Sequence, residues 1–414
     1  STPKPSSAAS DVYKRQLQLA EFPSLFWLRV HTDTGIIGTG ETFWAPGPVA
    51  SYIHDNVAPY LLGKDPRDIE IHDRKLGSVY VGARDSGAEV RGNSAVNIAL
   101  WDIYGQALGE PIWRLLGGRT HETVPIYNTC AGYGHVRATA KNALYERGED
   151  WNQKPGDSSE GPYEDLLGWR YNAGDLAKSL LSEGISAMKI WPFDVAAEAS
   201  NGTHLSLPVL DKALEPFGKI RDAVGREMEI MVELHGLWTL PPAMRIADAL
   251  KDYNVAWLEE PIRYNELDAM AELARHTSIP IAASERLASR QMYKQLIDRR
   301  AASIIMIDLA WCGGLSEARK IANMAEASEL PVTLHDCTGP IVYAASCALS
   351  ATLPNASYQE AVRAYFSGWY TEIVDNLPLV VDGRIAPLEG AGLGLGLRPE
   401  LFERSDATKR MTQL

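Results

Sequence analysis

Eight short apolar runs, most of them followed by a stretch of helical periodicity, constrain this chain more than any other feature. They occupy residues 124–129, 187–191, 229–234, 256–261, 281–285, 304–309, 331–335 and 356–360. Parallel strands need a long crossover, usually a helix, between each pair. Eight such units predict a (β/α)₈ barrel of the TIM type. A doubly wound sheet is the rival, but the chain lacks the Gly-rich nucleotide turn that would mark it. Residues 132–172 are long, polar and rich in Gly and Trp, and are expected to form an extended loop after the first barrel strand. Before the barrel, residues 24–32 and 36–43 read as a hairpin around turn residues 33–35, and 48–62, 69–81 and 95–116 as helical. Together they form an α+β layer. After Glu360 short strands return at 379–381 and 384–386, followed by a Gly-rich end.

Composition narrows the function classes. The 414 residues suffice for two or three domains. With 45% apolar and 22% charged residues, the chain is an ordinary globular protein. No apolar run reaches the ~18 residues of a spanning helix. The net charge of −13 argues against nucleic acid or an anionic membrane as partner. The four cysteines form no C-x-x-C pair, so neither a disulfide framework nor a cysteine metal site is expected, and a reducing, cytoplasmic enzyme is. Residues 1–16 carry no apolar stripe. The stretch SSAASDVYKRQ within them resembles a translated sequencing adapter, so these residues are left out of the fold expectation, as a tail lacking the natural N-terminus.

Polar residues crowd the C-terminal ends of the barrel strands, where active sites of such barrels lie. In order these are Lys189 and Trp191, Glu233 and His235, Glu259, Glu285, Asp308, His335 and Glu360. Ionisable groups on seven consecutive strands are hard to explain as structure, because each buried charge needs a partner. Glu233, Glu259 and Glu285 are each 26 residues apart, one βα unit. Three converging carboxylates repel one another, and a hard divalent cation removes that repulsion. All-oxygen ligation suits Mg²⁺. Glu260 points to the other side of its strand and is structural. Asp308 and His335 end neighbouring strands, and a carboxylate beside an imidazole makes a good general base. His235 shares a face with Glu233, as Lys189 does with Trp191.

The stretch SAVNIALWDIYGQALGEPIWRLLGG, residues 94–118, is similar to the N-terminal signature of the enolase superfamily in its mandelate racemase and muconate lactonizing enzyme branch. Asn97 stands where that branch usually has an acidic residue or Gln. The stretch ELHGLW…AWLEEP, from Glu233 to Pro261, resembles a second signature, with Glu233 replacing Asp. The resemblance implies an α+β capping domain made of both chain ends, here 17–120 and 373–414, closing over a barrel at 121–372. It also implies Mg²⁺ on Glu233, Glu259 and Glu285, and removal of the proton α to a carboxylate to give an enediolate. Lys189 and hydrogen-bond donors would help neutralise the charge.

Racemases and lactonizing enzymes of the branch carry Lys-x-Lys on the second barrel strand. Here the positions read Lys189-Ile190-Trp191, and tryptophan accepts no proton. The Asp308–His335 base remains, and one base suits an elimination. The branch's sugar-acid dehydratases, galactonate and gluconate dehydratases among them, carry such a lone base, and some place a histidine where His235 stands, to protonate the leaving 3-hydroxyl. The ending Tyr358-Gln359-Glu360 resembles theirs, where the Glu hydrogen-bonds the substrate carboxylate; Ser284-Glu285-Arg286 is similar to their Gly-Glu-Arg. The expected activity is Mg-dependent dehydration of a 2R aldonic or aldaric acid to a 2-keto-3-deoxy acid, by a homo-oligomer. The alternatives are a racemase or epimerase using His235 or a capping-domain residue as second base, and a catalytically silent sugar-acid binding protein.

Overall fold

The structure, a computed structural model, describes residues 13–78, 86–134 and 163–413. Its centre is a closed barrel of eight parallel strands: β4 Val124–Thr129, β5 Ala187–Ile190, β6 Glu229–Glu233, β7 Trp257–Glu259, β8 Ile281–Ala283, β9 Ile304–Ile307, β10 Val332–Leu334 and β11 Ala356–Ala361. β11 pairs back onto β4, with Glu360 opposite Tyr127, which removes both sheet edges. The segment following β4 lies mostly at 135–162, outside the described residues. The expected loop to 172 ends earlier, because a helix already begins at Asp165 and runs to Ser182 through a break at Asn172.

Strand periodicity of two stacks the barrel interior in layers. Tyr127, Ala187, Met231, Trp257, Ala282 and Met306 form an apolar plug, with Tyr358 packed on it. Two residues further along the same strands stand Thr129, Lys189, Glu233, Glu259, Asp308 and Glu360, all buried. The polar layer therefore rests on a dry floor.

The other layer is an antiparallel sheet, β1 Tyr13–Leu19, β2 Leu25–His31, β3 Ile37–Phe43 and β14 Ala407–Gln413, in the order β14-β1-β2-β3. Residues 13–16, which the sequence reading assigned to a foreign tail, pair on both sides, Tyr13 with Gln413 and Gln16 with Leu28. Backbone pairing needs no apolar stripe, so the earlier criterion missed them. The helix Gly87–Leu108 lies across β3. A Cβ at Gly38 would fall 2.1 Å from the Ala99 carbonyl oxygen, and one at Gly40 1.9 Å from that of Ala95, so only glycine permits this approach. The C-terminal segment divides. β12 Val380–Val381 and β13 Arg384–Ile385 extend β4 antiparallel, and only β14 joins the N-terminal sheet.

Side chains of the signature helix tie the two layers. Gly313 N donates to Ser94 Oγ at 3.0 Å, and Ser316 N to Asn97 Oδ1 at 3.1 Å. Asn97 thus accepts an N–H from the first turn of the helix Leu315–Glu326. From β3, buried Glu41 accepts from Trp27 Nε1 (2.6 Å) and from the N–H groups of Ile341 (3.1 Å) and Val342 (3.0 Å), at the start of the helix Pro340–Ser350. Burial pushes this carboxyl up to about 8, although the three donors oppose the shift. Glu41→Ala strands three buried donors and is expected to cost about 3 kcal/mol. Thermal melting and amide exchange at Ile341 and Val342 test this; unchanged midpoint and protection would refute it.

Candidate active site

The polar layer converges at the C-terminal mouth of the barrel. Ligand atoms of Glu233, Glu259 and Glu285 all lie within 4.8 Å of one another, and all three side chains are buried. Lys189 Nζ bonds a Glu259 oxygen, lies 2.9 Å from Glu360 Oε1 and 3.4 Å from Glu233 Oε2. Glu259 Oε2 also accepts from Trp257 Nε1 at 3.0 Å, and Glu233 Oε1 from the His235 backbone N–H at 2.6 Å. Glu285 Oε2 is buried without an aligned donor, although His335 Nε2 is 3.2 Å away.

This electrostatics is that of a cation site. Glu259 is pushed well above the usual carboxylate range, first by burial and then by the charge of Glu233. Burial pushes Glu233 up as well, but His235 and Lys189 more than offset it, to about 2. Lys189 and Arg286, the latter with its Nε 3.7 Å from Glu285 Oε1, are fewer positive charges than the four buried carboxylates Glu233, Glu259, Glu285 and Glu360. The oxygen-only donor set and the orphaned Glu285 oxygen fit a hard divalent ion.

On the opposite rim, His335 Nδ1 lies 2.6 Å from Asp308 Oδ2, both buried. An ionised carboxylate only accepts, so Nδ1 carries the proton, while Nε2 faces Glu285 Oε2 at 3.2 Å and Cys337 Sγ at 3.6 Å. Burial lowers the affinity of His335 for a proton, but Glu285 and Glu360 outweigh it and hold its pKa well above the ordinary imidazole value. Divalent charge on Glu285 would oppose that pull, so cation binding and the neutral ring that a base needs favour each other. The indole of Trp311 lies 5.3 Å from the His335 ring, and the Arg91 guanidinium 4.6 Å from the indole. Arg91 also donates to the Phe43 carbonyl at 2.6 Å, so the N-terminal layer reaches the base through one aromatic side chain.

Glu360 bonds Thr129 Oγ1 and accepts from Asp336 N at 2.9 Å. Burial raises it, and Lys189, His335 and Thr129 bring it down to about 2. Trp191 is buried beside the His235 ring, centroids 6.0 Å apart, and bears no proton acceptor. His235 Nδ1 lies 2.8 Å from Asp194 Oδ2. The structure thus brings together all eight residues singled out from the sequence: Glu233, Glu259, Glu285, Lys189, His235, Asp308, His335 and Glu360. Sequence reading missed Thr129 and Asp194. Thr129 does end a barrel strand, and attention to ionisable groups alone passed it over. Asp194 follows β5 as the first residue of a short helix, off the strand pattern.

Glu260 is fully buried, and burial together with the neighbouring charge of Glu285 pushes its carboxyl up to about 8, against the pull of Arg286 and Ser284.

Comparison with known proteins agrees with this architecture. Residues 18–117 match the family model described as mandelate racemase / muconate lactonizing enzyme, N-terminal domain, and residues 172–401 the one described as enolase C-terminal domain-like. A D-xylonate dehydratase of Haloferax volcanii is 29% identical over 91% of this chain and 84% of its own length. A D-galactonate dehydratase of Ralstonia nicotianae is 29% identical over 92% and 91%. Among solved structures, an enolase of the mandelate racemase subgroup from Agrobacterium tumefaciens, with a succinimide residue, is 44% identical, covers 98% of this chain and 99% of its own, and superposes with a TM-score of 0.84.

Proposed function

Because the chain belongs to the mandelate racemase and muconate lactonizing enzyme family, we propose that it is a hydro-lyase converting a 2R sugar acid to its 2-keto-3-deoxy product. The observation that carries this reading is the pairing of one competent base, His335 with Asp308, with a second imidazole, His235, while Trp191 fills the place of the family's other base. Relatives named D-xylonate and D-galactonate dehydratase support the substrate class. Glu233, Glu259 and Glu285 would hold Mg²⁺. When bound, that ion supplies positive charge that draws electron density from the substrate carboxylate and acidifies C2.

The chain's own residues do the rest. His335 Nε2 takes the C2 proton, and the C–H electron pair moves toward the carboxylate carbon. The Lys189 ammonium opposes the charge that develops on the carboxylate, and Glu360 fixes Lys189 and the loop after β10 around it. As the C3–O bond breaks, its electron pair leaves with oxygen, which takes a proton from His235 and departs as water. Hydroxide leaves poorly, so this proton is required. The resulting enol takes a proton at C3 and becomes the ketone. Four unpaired cysteines fit a reducing, cytoplasmic setting.

A library of mono- and diacid sugars assayed with Mg²⁺ for α-keto acid tests the reading. Keto acid from no member would overturn it. His235→Asn is expected to lower dehydration by about 10²-fold or more while C2 exchange with D₂O continues, since exchange needs only the base. An equal fall in both would assign His235 to the metal site instead.

A further inference from the structure

The base on β10 is not the one imidazole here with a carboxylate on its Nδ1. His235, on the turn after β6, has Asp194 Oδ2 2.8 Å from Nδ1, nearly the geometry of His335 Nδ1 and Asp308 Oδ2 at 2.6 Å. Asp194 is fully buried and opens the short helix Asp194–Ser200, so it comes from the turn after β5, the strand that carries Lys189. The His235 side chain keeps 20% of its surface exposed, whereas Asp194 has none. The His235 backbone is held in the left-handed region, φ 51°, with its N–H on Glu233 Oε1. Its ring meets the edge of Trp191. Backbone, ring face and Nδ1 are thus each fixed by a different neighbour, far more than a histidine at a strand end needs to pack.

We propose that Asp194 is a positioning residue for the leaving-group proton, an inference that rests on the dehydratase reading above. A carboxylate only accepts, so the Nδ1 proton stays between His235 and Asp194 throughout. Nε2 is then the ring atom that passes its proton to O3 as the C3–O bond breaks and water leaves, and the neutral ring keeps its proton on Nδ1. Asparagine in place of Asp194 can turn its amide and donate to Nδ1. The neutral ring then holds its proton on Nε2 and cannot release it without becoming an anion.

The test uses the full chain with Mg²⁺ and an acid that the unsubstituted enzyme dehydrates, in D₂O. Asp194→Asn is expected to lower kcat for dehydration by about 10²-fold, with little change in KM. Deuterium at C2 of recovered substrate should rise relative to keto acid formed, because abstraction outruns departure. In a His235→Asn background, Asp194→Asn should cost less than a further twofold. The retained exchange itself shows that the variant folds and binds. Equal loss of exchange and dehydration, a full dehydration rate in Asp194→Asn, or a further tenfold loss on the His235→Asn background overturns the role. If the unsubstituted enzyme yields no keto acid from any sugar acid, the dehydratase reading fails and this inference with it. If it does turn over and Asp194→Asn matches it, the inference alone fails.

Discussion

Glu259→Gln is expected to abolish turnover and to weaken Mg²⁺ binding by more than the roughly 100-fold that loss of an outer-sphere partner costs. Glu259 lies on the middle strand of the three that bear the carboxylates and bonds both Lys189 and Trp257. The amide is the same size and retains an oxygen for one of these donors, so the barrel should stay folded. What it loses is the charge. Glu259 is held well above the usual carboxylate range by burial and by Glu233, a repulsion that a bound cation relieves and an amide does not feel. Without its substitution the trio offers the ion three negative charges; with it, two, and dehydration should fall at least about 10³-fold. Calorimetric titration with Mg²⁺ is the decisive measurement. An isotherm unchanged by Glu259→Gln would defeat the site as drawn, whatever the rate did.

The second large effect concerns stereochemistry. His335→Asn should lower C2 exchange and dehydration together by about 10³-fold, since general-base catalysis contributes ~10²–10⁴. Asp308→Asn should weaken both less severely, by disturbing the tautomer that the 2.6 Å contact sets. Trp191 offers no acceptor on the β5 side, and by resemblance to the family the His335 face serves acids of 2R configuration, so these should be dehydrated and their 2S epimers left unchanged. The outcome that would reverse the assignment is turnover of a 2S acid by an enzyme already carrying His335→Asn. Such a result would show that the base stands on the other side of the barrel from His335.

The barrel was legible because parallel strands buried on both faces read as apolar runs, and the crossovers between them keep helical periodicity. The site was legible for a narrower reason. Once Tyr127, Met231, Trp257, Met306 and Tyr358 form the floor, a period of two sends Thr129, Glu233, Glu259, Asp308 and Glu360 to the layer above. β8 departs from the rule: Ala282 lies in the floor, yet the carboxylate is Glu285, three residues on, so spacing between strands found it where parity would have named Ser284. Asp194 was illegible because the first residue of a short helix beyond β5 follows no strand period, and only folding brings it to His235. Residues 13–16 were left out of the fold because an interior strand can be specified by its backbone partners on both sides more than by its side chains, and one of those partners, β14, lies far away in the sequence.

That last pairing has a consequence for the order in which the molecule can be completed. Tyr13 meets Gln413, and Leu19 meets Ala407, so the strand that covers one edge of β1 is synthesised some 400 residues after it. The barrel is made in between, strand beside strand in sequence order, and can close when β11 reaches β4, both of them made before β14. The sheet that carries Glu41 and the Phe43 carbonyl cannot. During translation, β1 must wait with one row of amides and carbonyls unsatisfied, a template to which any extended chain can add. Until β14 is made, that edge of β1 stays exposed to aggregation, and a chaperone that shields it would serve this protein over that interval.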